Sequence, residues 1–250
     1  MVVDSLRGAI GFLSRLPVGQ DETAWEAFRH RPAAFPLAGY PIGALIAMPL
    51  VVLSPPATAA AAFIAWTYVL TGVAHADGLT DLGDALAVHG DAQSRREVMR
   101  DTTVGVGGVL ALAIVLLTLA LGAFGLARTT SEWPVIVAVV VASEVGAKGA
   151  IALLVCLGTA THEGLGSALS ENAGPGSLRS VVGALVPVFA LAVINPAAPI
   201  ATLCALAAGA CVLYLARSTV GGVSGDVMGA TNELARVVAI HAGVIAWAHW

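Results

Sequence analysis

The sequence predicts an all-α, polytopic integral membrane protein, a helical bundle with about six to eight transmembrane helices. Of its 250 residues, 58% are hydrophobic and only 11% are charged, whereas soluble domains carry about 25% charged residues. Mean hydropathy is +0.87. Several uncharged stretches also approach the roughly 20 residues that a helix needs to cross the hydrocarbon core of a bilayer. We expect one domain over residues 1–250.

The first expected element is an N-terminal interfacial segment, residues 1–36, which begins with a short helix at the membrane surface. Apolar residues recur there at helical spacing, and the charges of Asp4, Arg7 and Arg15 interrupt them. This amphipathic pattern is typical of a helix lying on a membrane rather than crossing it.

Six hydrophobic segments follow, at about 37–53, 57–74, 105–127, 133–157, 180–195 and 198–216, and a seventh candidate runs from about 235 to Trp250. Pro187 makes the fifth segment marginal. Tight turns are expected at Pro55-Pro56, at Arg128 to Glu132, and at Asn195 to Pro199. The cysteines lie in apolar runs without CxxC spacing, so neither a zinc site nor a disulfide framework is indicated.

Basic residues indicate the orientation of the bundle. With six spans, residues 1–36, 75–104, 158–179 and 217–234 face one side. Nine of the twelve Lys and Arg residues lie on that side: Arg7, Arg15, Arg29, Arg31, Arg95, Arg96, Arg100, Arg179 and Arg217. The positive-inside rule predicts that this side is cytoplasmic. We therefore expect a protein of the cytoplasmic (inner) membrane whose catalytic loops face the cytoplasm. The net charge of −4 gives no reason to expect nucleic-acid binding.

The stretch HADGLTDLGDAL, residues 75–86, opens an acidic active-site loop expected over 75–104. If this stretch is helical, Asp77, Asp81 and Asp84 lie within an arc of about 60° on one face. Like charges in that arrangement repel each other unless a cation compensates them. Carboxylate oxygens suit Mg²⁺, so we predict Mg²⁺ held by these three aspartates. The alternative is a solvated polar loop between two spans.

Arginines follow the acidic stretch at Arg95, Arg96 and Arg100. A guanidinium group suits phosphate recognition, so these side chains are candidate substrate contacts. Asp101 adds a fourth carboxylate, and Gly105 stands where backbone N–H groups of the next helix could approach an anion. His75 has two interpretations, a hydrogen-bonded residue at the membrane boundary or a group that reaches a substrate phosphate.

A glycine-rich loop is expected at residues 217–234. Gly221, Gly222 and Gly225 would let the backbone approach a ligand, and Asp226 would present a carboxylate there. The alternative is a flexible loop with an N-capping aspartate. Within the fourth hydrophobic segment, Glu144 and Lys148 are spaced for an ion pair. That pair is either functional or a structural link between two helices.

Six stretches together resemble the cobalamin synthase family, the adenosylcobinamide-GDP ribazoletransferases. They occur in order over nearly the whole chain: GAIGFLSRLPV at 8–18, FPLAGYPIG at 35–43, HADGLTDLGDAL at 75–86, REVMRDTTVGVGG at 96–108, HEGLG at 162–166 and GGVSGDVMGATNEL at 221–234. The sequence departs from the family pattern at Ala85, at Val106-Gly107 and at Lys148.

The resemblance implies a reaction of the last stage of cobalamin (vitamin B12) biosynthesis. The adenosylcobinamide phosphoryl group is transferred from adenosylcobinamide-GDP to α-ribazole or its 5′-phosphate, and GMP is released. We expect Mg²⁺ on Asp77, Asp81 and Asp84 to bridge the diphosphate while the ribazole 5′-hydroxyl attacks.

The resemblance also supports roles for the remaining candidates. His75, Asp101 and Asp226 are further catalytic candidates. The expected substrate-binding residues are Arg95, Arg96, Arg100, Gly78, Gly105, Gly221, Gly222, Gly225 and Lys148. The expected partners are the two substrates and the lipid bilayer, and the sequence is compatible with an oligomer.

Two other classes of membrane protein share parts of this pattern. CDP-alcohol phosphotransferases also hold Mg²⁺ with aspartates on membrane helices, but their D-G-x-x-A-R pattern is absent, because Leu79-Thr80-Asp81 follows Gly78. A secondary transporter would use Glu144 and Lys148 as a coupling relay and would be built from an internal repeat. The sequence shows no clear repeat.

Overall fold

The computed structural model describes residues 2–19, 21–193 and 196–250, which fold into helices joined by short turns. Within these residues the only β-type pairing is an isolated bridge between Ala160 and Val223. The α-helices are α1 (Val2–Leu13), α2 (Glu22–Arg29), α3 (Ala34–Ile46), α4 (Met48–Val52), α5 (Pro56–Thr71), α6 (Ala74–Ala87), α7 (Ala92–Arg100), α8 (Val106–Thr129), α9 (Trp133–Leu157), α10 (Leu165–Ser170), α11 (Leu178–Ala190), α12 (Ala197–Thr219) and α13 (Gly225–Ala248). The all-α prediction is confirmed.

Five stretches of the described chain are long and apolar enough to cross a membrane: Ala34–Val52, Val106–Thr129, Trp133–Leu157, Pro175–Val193 and Ala197–Thr219. Helices α5 and α6 add a sixth if they count as one broken span, but α6 turns away from α5 by 99°. Because of this turn, we treat α5 as the spanning part and α6 as a helix outside the spans. Five of the six predicted segments match these candidates, and the sixth, at about 57–74, corresponds to α5. The prediction of a polytopic helical membrane bundle is confirmed.

Helix α13 is not among these candidates, yet its second half packs against α8. A Cβ on Gly122 of α8 would lie 2.6 Å from Ile240. Near its end, the Trp247 indole donates a hydrogen bond to the Thr129 carbonyl at 3.4 Å. The predicted seventh segment therefore exists as the second half of a helix that begins earlier, at Gly225. Its polar first half keeps α13 below the hydropathy of a simple span.

Helix α9 is the centre of the bundle and is buried along most of its length. Small residues allow its neighbours to approach closely, as is common in membrane bundles. A Cβ on Gly39 of α3 would lie 2.7 Å from the Val145 Cα, and one on Gly209 of α12 would lie 2.5 Å from the Ala150 Cβ. This close packing holds α3 and α12 against α9.

The N-terminal segment forms two helices, as its amphipathic pattern predicted for the first. Helix α1 packs against α2 at Gly8, where a Cβ would lie 2.2 Å from the Ala24 carbonyl oxygen. An aromatic cluster of Phe12, Trp25, Phe28 and Phe35 then joins α1 and α2 to α3. This cluster brings Phe12 to the edge of the candidate site.

Two segments that were predicted as loops are mostly helical. Residues 75–104 are mostly the helices α6 and α7, and most of 217–234 is the end of α12 and the start of α13. The break between α12 and α13 is short because Ser224, rather than Asp226, caps α13: its side chain accepts a hydrogen bond from the Val227 N–H. The turns at Pro55-Pro56 and Arg128 to Glu132 are confirmed. The predicted turn at Asn195 to Pro199 begins outside the described residues, and α12 has already begun at Ala197.

Candidate active site

Helix α6 carries the three predicted aspartates and is held between α13 and α8 by close backbone contacts. On the α13 side, a Cβ on Gly78 would lie 2.6 Å from the Asp226 Cα. One turn further, a Cβ on Gly229 would lie 3.0 Å from the His75 Cα. Gly78, predicted as a substrate contact, therefore lets two helices cross. This crossing brings Asp226 to the aspartates of α6.

The carboxylates gathered at this crossing repel one another. Burial, followed by the negative charges of Asp226, Asp77 and Asp84, raises the pKa of Asp81 to about 6. A raised carboxyl pKa means that the folded protein disfavours the charged form. The site therefore combines an acidic centre with an electrostatic penalty, as the sequence predicted. The most strongly affected member is Asp81, which is half-buried.

A Gly78→Ala substitution tests the crossing. The added methyl group meets backbone atoms of Asp226, so α6 and α13 must separate, and overpacking of this kind costs about 1–3 kcal/mol. We expect a lower unfolding temperature and a loss of most enzymatic turnover. Gly183→Ala is the matched control, because a Cβ at Gly183 of α11 meets nothing within 4 Å. Equal behaviour of the two variants in thermal unfolding and activity assays would contradict a tight crossing at Gly78.

Asp84 has a different environment from the one predicted. Its Oδ2 accepts a hydrogen bond from the Gly105 N–H at 2.7 Å, and its Oδ1 accepts one from the Gly108 N–H at 2.8 Å. The carboxylate thus occupies the N-terminus of α8, where backbone donors favour an anion. The anion at Gly105 is therefore Asp84 itself, and both residues line a separate cavity.

The described part of the chain contains no group of three or more His, Cys, Asp or Glu side chains positioned to hold a metal ion by themselves. A ligand set of Asp77, Asp81 and Asp84 is therefore not assembled by the protein alone. Asp84 is hydrogen-bonded to α8. The charges of Asp226 and Asp77 raise the pKa of Asp81 more than the charge of Asp84 does. A cation bound here would complete its coordination shell with water or with substrate oxygens.

A cavity of about 360 Å³, which we call the central cavity, opens beside the crossing. Its polar lining comprises His75 and Asp77 from α6, His162 from the segment after α9, and Asp226 from α13, and Phe12 and Phe35 form part of its apolar wall. Burial, with the nearby positive charge of Lys148, lowers the pKa of His75 to about 4. His75 is therefore neutral near pH 7 and can act as a hydrogen-bonding group facing the cavity.

A smaller pocket of about 40 Å³ adjoins this cavity and shares His162 and Asp226 with it. Arg96 and Arg100 of α7 line this pocket, and we call it the arginine pocket. Arg96 donates one hydrogen bond to the Val220 carbonyl at 2.9 Å, and the exposed Arg100 side chain makes no hydrogen bond within the described residues. These two predicted phosphate contacts are therefore brought to the site.

Arg95 is not brought there. Its guanidinium donates a hydrogen bond to the Ala85 carbonyl at 2.8 Å and so binds the C-terminal end of α6. Asp101 is also elsewhere: it lines a separate cavity with Asp84, and its Oδ1 accepts a hydrogen bond from the Thr103 N–H at 3.0 Å. Both residues stabilise the ends of helices rather than facing the central cavity.

The three predicted glycines between α12 and α13 lie at the site for different reasons. Gly221 has a φ of +85° and passes beside the Arg96 guanidinium. A Cβ on Gly222 would lie 2.3 Å from the Thr159 carbonyl oxygen, so this glycine lets a neighbouring segment approach. Gly225 lines the central cavity at the first turn of α13. None of them forms a phosphate cradle by itself.

An apolar groove of about 490 Å³ lies between α6 and α8 on the other side of Asp77. Apart from Asp77 and Thr80, its walls are apolar: Val73, Ala76, Val104, Val109, Leu112, Ala113 and Leu116. The exposed face of α8 beside it is also apolar. The groove and the arginine pocket share no lining residue, and each shares a carboxylate with the central cavity, Asp77 and Asp226 respectively.

A fully buried ionic network lies behind the cavity. Glu144 pairs with both Lys148 and Arg236, and Arg236 also donates two hydrogen bonds of 2.8 Å to Glu233. Tyr68 of α5 donates a hydrogen bond to Glu233 at 2.9 Å. Lys148 is 0% exposed, so its predicted contact with substrate is wrong, and the structural alternative holds. Two carboxylates balance two cations, as buried charges require.

Sequence reasoning missed the other members of this network and His162. The sequence does indicate a buried ion pair, because Glu144 and Arg236 occur in two segments that are otherwise largely apolar. His162 stood in a matched motif, HEGLG, but nothing in the sequence placed it beside Asp226.

Comparisons with known proteins agree over the whole chain. The cobalamin-5-phosphate synthase family profile matches residues 5–244. An adenosylcobinamide-GDP ribazoletransferase of Halorubrum lacusprofundi is 51% identical, with 99% of each chain covered. A protein of the same name from Haloquadratum walsbyi is 44% identical over 99% of each chain, and one from Bradyrhizobium diazoefficiens is 32% identical over 95% of this chain and 92% of its own. No solved structure matches.

Proposed function

The chain belongs to the cobalamin-5-phosphate synthase family, and we propose that it transfers the adenosylcobinamide phosphoryl group from adenosylcobinamide-GDP to α-ribazole or its 5′-phosphate. The observation that carries this proposal is the crossing of α6 and α13. It gathers Asp77, Asp81 and Asp226 between an arginine pocket and an apolar groove. Family membership favours this function over the phosphotransferase and transporter alternatives.

The transfer exchanges one P–O bond for another. A ribose hydroxyl oxygen of the acceptor attacks the phosphorus atom that carries adenosylcobinamide, and the bond from that phosphorus to the bridging oxygen of the diphosphate breaks. GMP leaves with the bridging oxygen. The hydroxyl proton passes to a carboxylate at the crossing that does not bind the cation, and Asp77, which lines both the cavity and the apolar groove, is the candidate.

The attacking hydroxyl of the acceptor differs from the one that the resemblance implied. The family description names a cobalamin 5-phosphate as product. An acceptor that keeps a phosphate at the 5′ position has no free 5′-hydroxyl to attack with. We therefore propose another ribose hydroxyl in place of the 5′-hydroxyl inferred from the sequence.

The residues at the crossing fit Mg²⁺ as an ion shared with substrate. Mg²⁺ is usually bound by one or two protein carboxylates together with substrate phosphates and water. Asp81 and Asp226 would supply the protein ligands, and the diphosphate would supply others. The ion would neutralise charge on the phosphoryl oxygens. In this proposal Asp84 is removed from the ligand set and positions α8 instead.

The remaining cavity residues bind and orient the diphosphate. Arg96 and Arg100 donate hydrogen bonds to phosphate oxygens in the arginine pocket. Neutral His75 faces the cavity and donates a hydrogen bond to a phosphoryl oxygen or a ribose hydroxyl. The aromatic side chains of Phe12 and Phe35 close one wall and limit the access of water.

We further propose that the site faces the cytoplasm from the cytoplasmic membrane. Its helices α6, α7 and the start of α13 lie at the end of the bundle that also carries Arg95, Arg96, Arg100 and Arg217. Arg128, at the other end of α8, is the one basic residue predicted for the opposite face. This distribution follows the positive-inside rule.

The test is an assay of the purified protein in bilayers with adenosylcobinamide-GDP and α-ribazole. We expect release of GMP together with formation of a cobalamin product, both identified by mass spectrometry. With the 5′-phosphate as acceptor, the product should retain that phosphate. Absence of GMP release with both acceptors, at any Mg²⁺ concentration, would refute the proposed function.

A further inference from the structure

His162 is held beside Asp226 by backbone contacts between two loops. The Thr161 N–H donates a hydrogen bond to the Val223 carbonyl at 3.1 Å, and the Val223 N–H donates one to the Thr159 carbonyl at 2.8 Å. Glycines allow this approach: a Cβ on Gly166 would lie 3.1 Å from the Ser224 Cα. The segment after α9 is therefore fixed to the residues that begin α13, and His162 lies where the two meet.

The imidazole of His162 has one nitrogen in use and one available. Its Nδ1 lies 2.9 Å from the Thr161 hydroxyl oxygen. Its Nε2 makes no hydrogen bond within the described residues, and the side chain is exposed. His162 lines both the arginine pocket and the central cavity. This side chain is therefore available to a ligand that extends from one space into the other.

The arginine pocket is matched in size and chemistry to a phosphate group. Its volume of about 40 Å³ is far too small for a nucleoside. Arg96 uses one of its five N–H donors on Val220, and Arg100 keeps its own donors for another partner. A phosphate placed there would receive hydrogen bonds from both arginines while its nucleoside remains outside.

The arrangement of the three spaces assigns a direction to the reaction. In an in-line displacement the attacking and leaving oxygens lie on opposite sides of the phosphorus. The apolar groove shares Asp77 with the central cavity, and the arginine pocket shares Asp226 and His162 with it. Of these three spaces, only the arginine pocket has cationic side chains for a departing phosphate, which favours the Asp226 side for the departing nucleotide and the Asp77 side for the acceptor.

We infer that His162, with Arg96 and Arg100, forms the subsite for the phosphate of the departing guanosine monophosphate, with Nε2 of His162 donating a hydrogen bond to it. This inference rests on the proposed function for the identity of the nucleotide. His162 then contacts the donor substrate and the product GMP, but not α-ribazole.

The test compares His162→Ala and His162→Gln with a matched control, His249→Ala, at the opposite end of α13. Loss of a hydrogen bond to a charged phosphate should weaken binding about 10- to 100-fold. We expect the inhibition constant for GMP to rise by that factor in His162→Ala, and kcat/KM for adenosylcobinamide-GDP to fall similarly. KM for α-ribazole should stay within about twofold. Gln keeps an N–H donor and should restore part of the loss, and His249→Ala should match the wild type.

Two measurements separate this inference from the proposed function. Absence of GMP release by the wild type would refute the function. GMP binding is measured directly by titration calorimetry, which does not depend on turnover. Equal GMP affinity in the wild type and His162→Ala would overturn the subsite, as would a variant in which KM for α-ribazole rises as much as that for the donor. A lowered unfolding temperature with both constants changed would also contradict it, because it would indicate a structural role.

Discussion

Asp81→Asn should fold normally and lose at least about 100-fold in the rate of GMP release. The carboxylate is a proposed ligand of the cation at the reacting phosphoryl group, and even changes in the outer shell of a metal site typically cost about 10- to 100-fold in affinity or activity. Asn is nearly the same size but carries no charge. The measurement is steady-state turnover of adenosylcobinamide-GDP with saturating α-ribazole.

The same substitution should leave the protein as stable as the wild type or more stable. The pKa of Asp81 is raised to about 6, so the fold disfavours its charged form. Removing the charge removes that penalty, and the effect should be seen in thermal unfolding with a metal chelator present. Asp91→Asn is the control, because Asp91 caps α7 and Asn is an equally good N-cap. A destabilised Asp81→Asn protein, or one with near-normal turnover, would contradict the assigned role.

Arg236→Met should cause the largest loss of stability among single substitutions at buried polar groups. Arg236 is 0% exposed and contacts both Glu144 and Glu233. Without it, Lys148 alone must compensate two buried carboxylates. Removing one partner of a buried ion pair typically costs about 3–5 kcal/mol. The free energy of unfolding in mild detergent should fall by about that amount.

A second substitution tests whether charge balance is the cause. Arg236→Met combined with Glu233→Gln restores one carboxylate and one cation, and should recover a large part of the lost stability. The recovery is measured as a coupling energy in a double-mutant cycle. Arg128→Met, an exposed arginine that stacks on Phe124, is the control and should change stability by less than about 0.5 kcal/mol. A double variant no more stable than Arg236→Met would show that packing, rather than charge, dominates.

The order of the apolar segments and the family could be predicted because hydropathy and motif spacing are properties of contiguous sequence. All six predicted spans match helices, and the acidic stretch at 75–86 is a helix with its aspartates on one face. Local periodicity carries this information without any knowledge of tertiary contacts. The chemistry of guanidinium groups and the glycine-rich stretch likewise made Arg96 and Asp226 candidates, and both line the arginine pocket.

The environments of several site residues depend on contacts with residues that are distant in sequence, and these could not be predicted. Asp84 and Asp81 are equivalent in spacing, but only Asp84 lies at the N-terminus of α8, where two backbone N–H groups bind it. Lys148 was predicted to contact substrate because nothing in its own segment indicates the ionic network. Arg236 is hydrogen-bonded to Glu144 but lies 92 residues away in sequence. His162 is brought beside Asp226 by the pairing of residues 159–161 with Val223.

The dependence of GMP release on Mg²⁺ tests most directly whether the crossing of α6 and α13 is the catalytic centre. The wild type should release no GMP in the presence of a chelator, and activity should return when Mg²⁺ is added. In Asp226→Asn, the Mg²⁺ concentration for half-maximal activity should rise at least about tenfold, in line with the effect of weakening a metal site. Full activity in chelator, or an unchanged Mg²⁺ requirement in Asp226→Asn, would contradict the proposed centre.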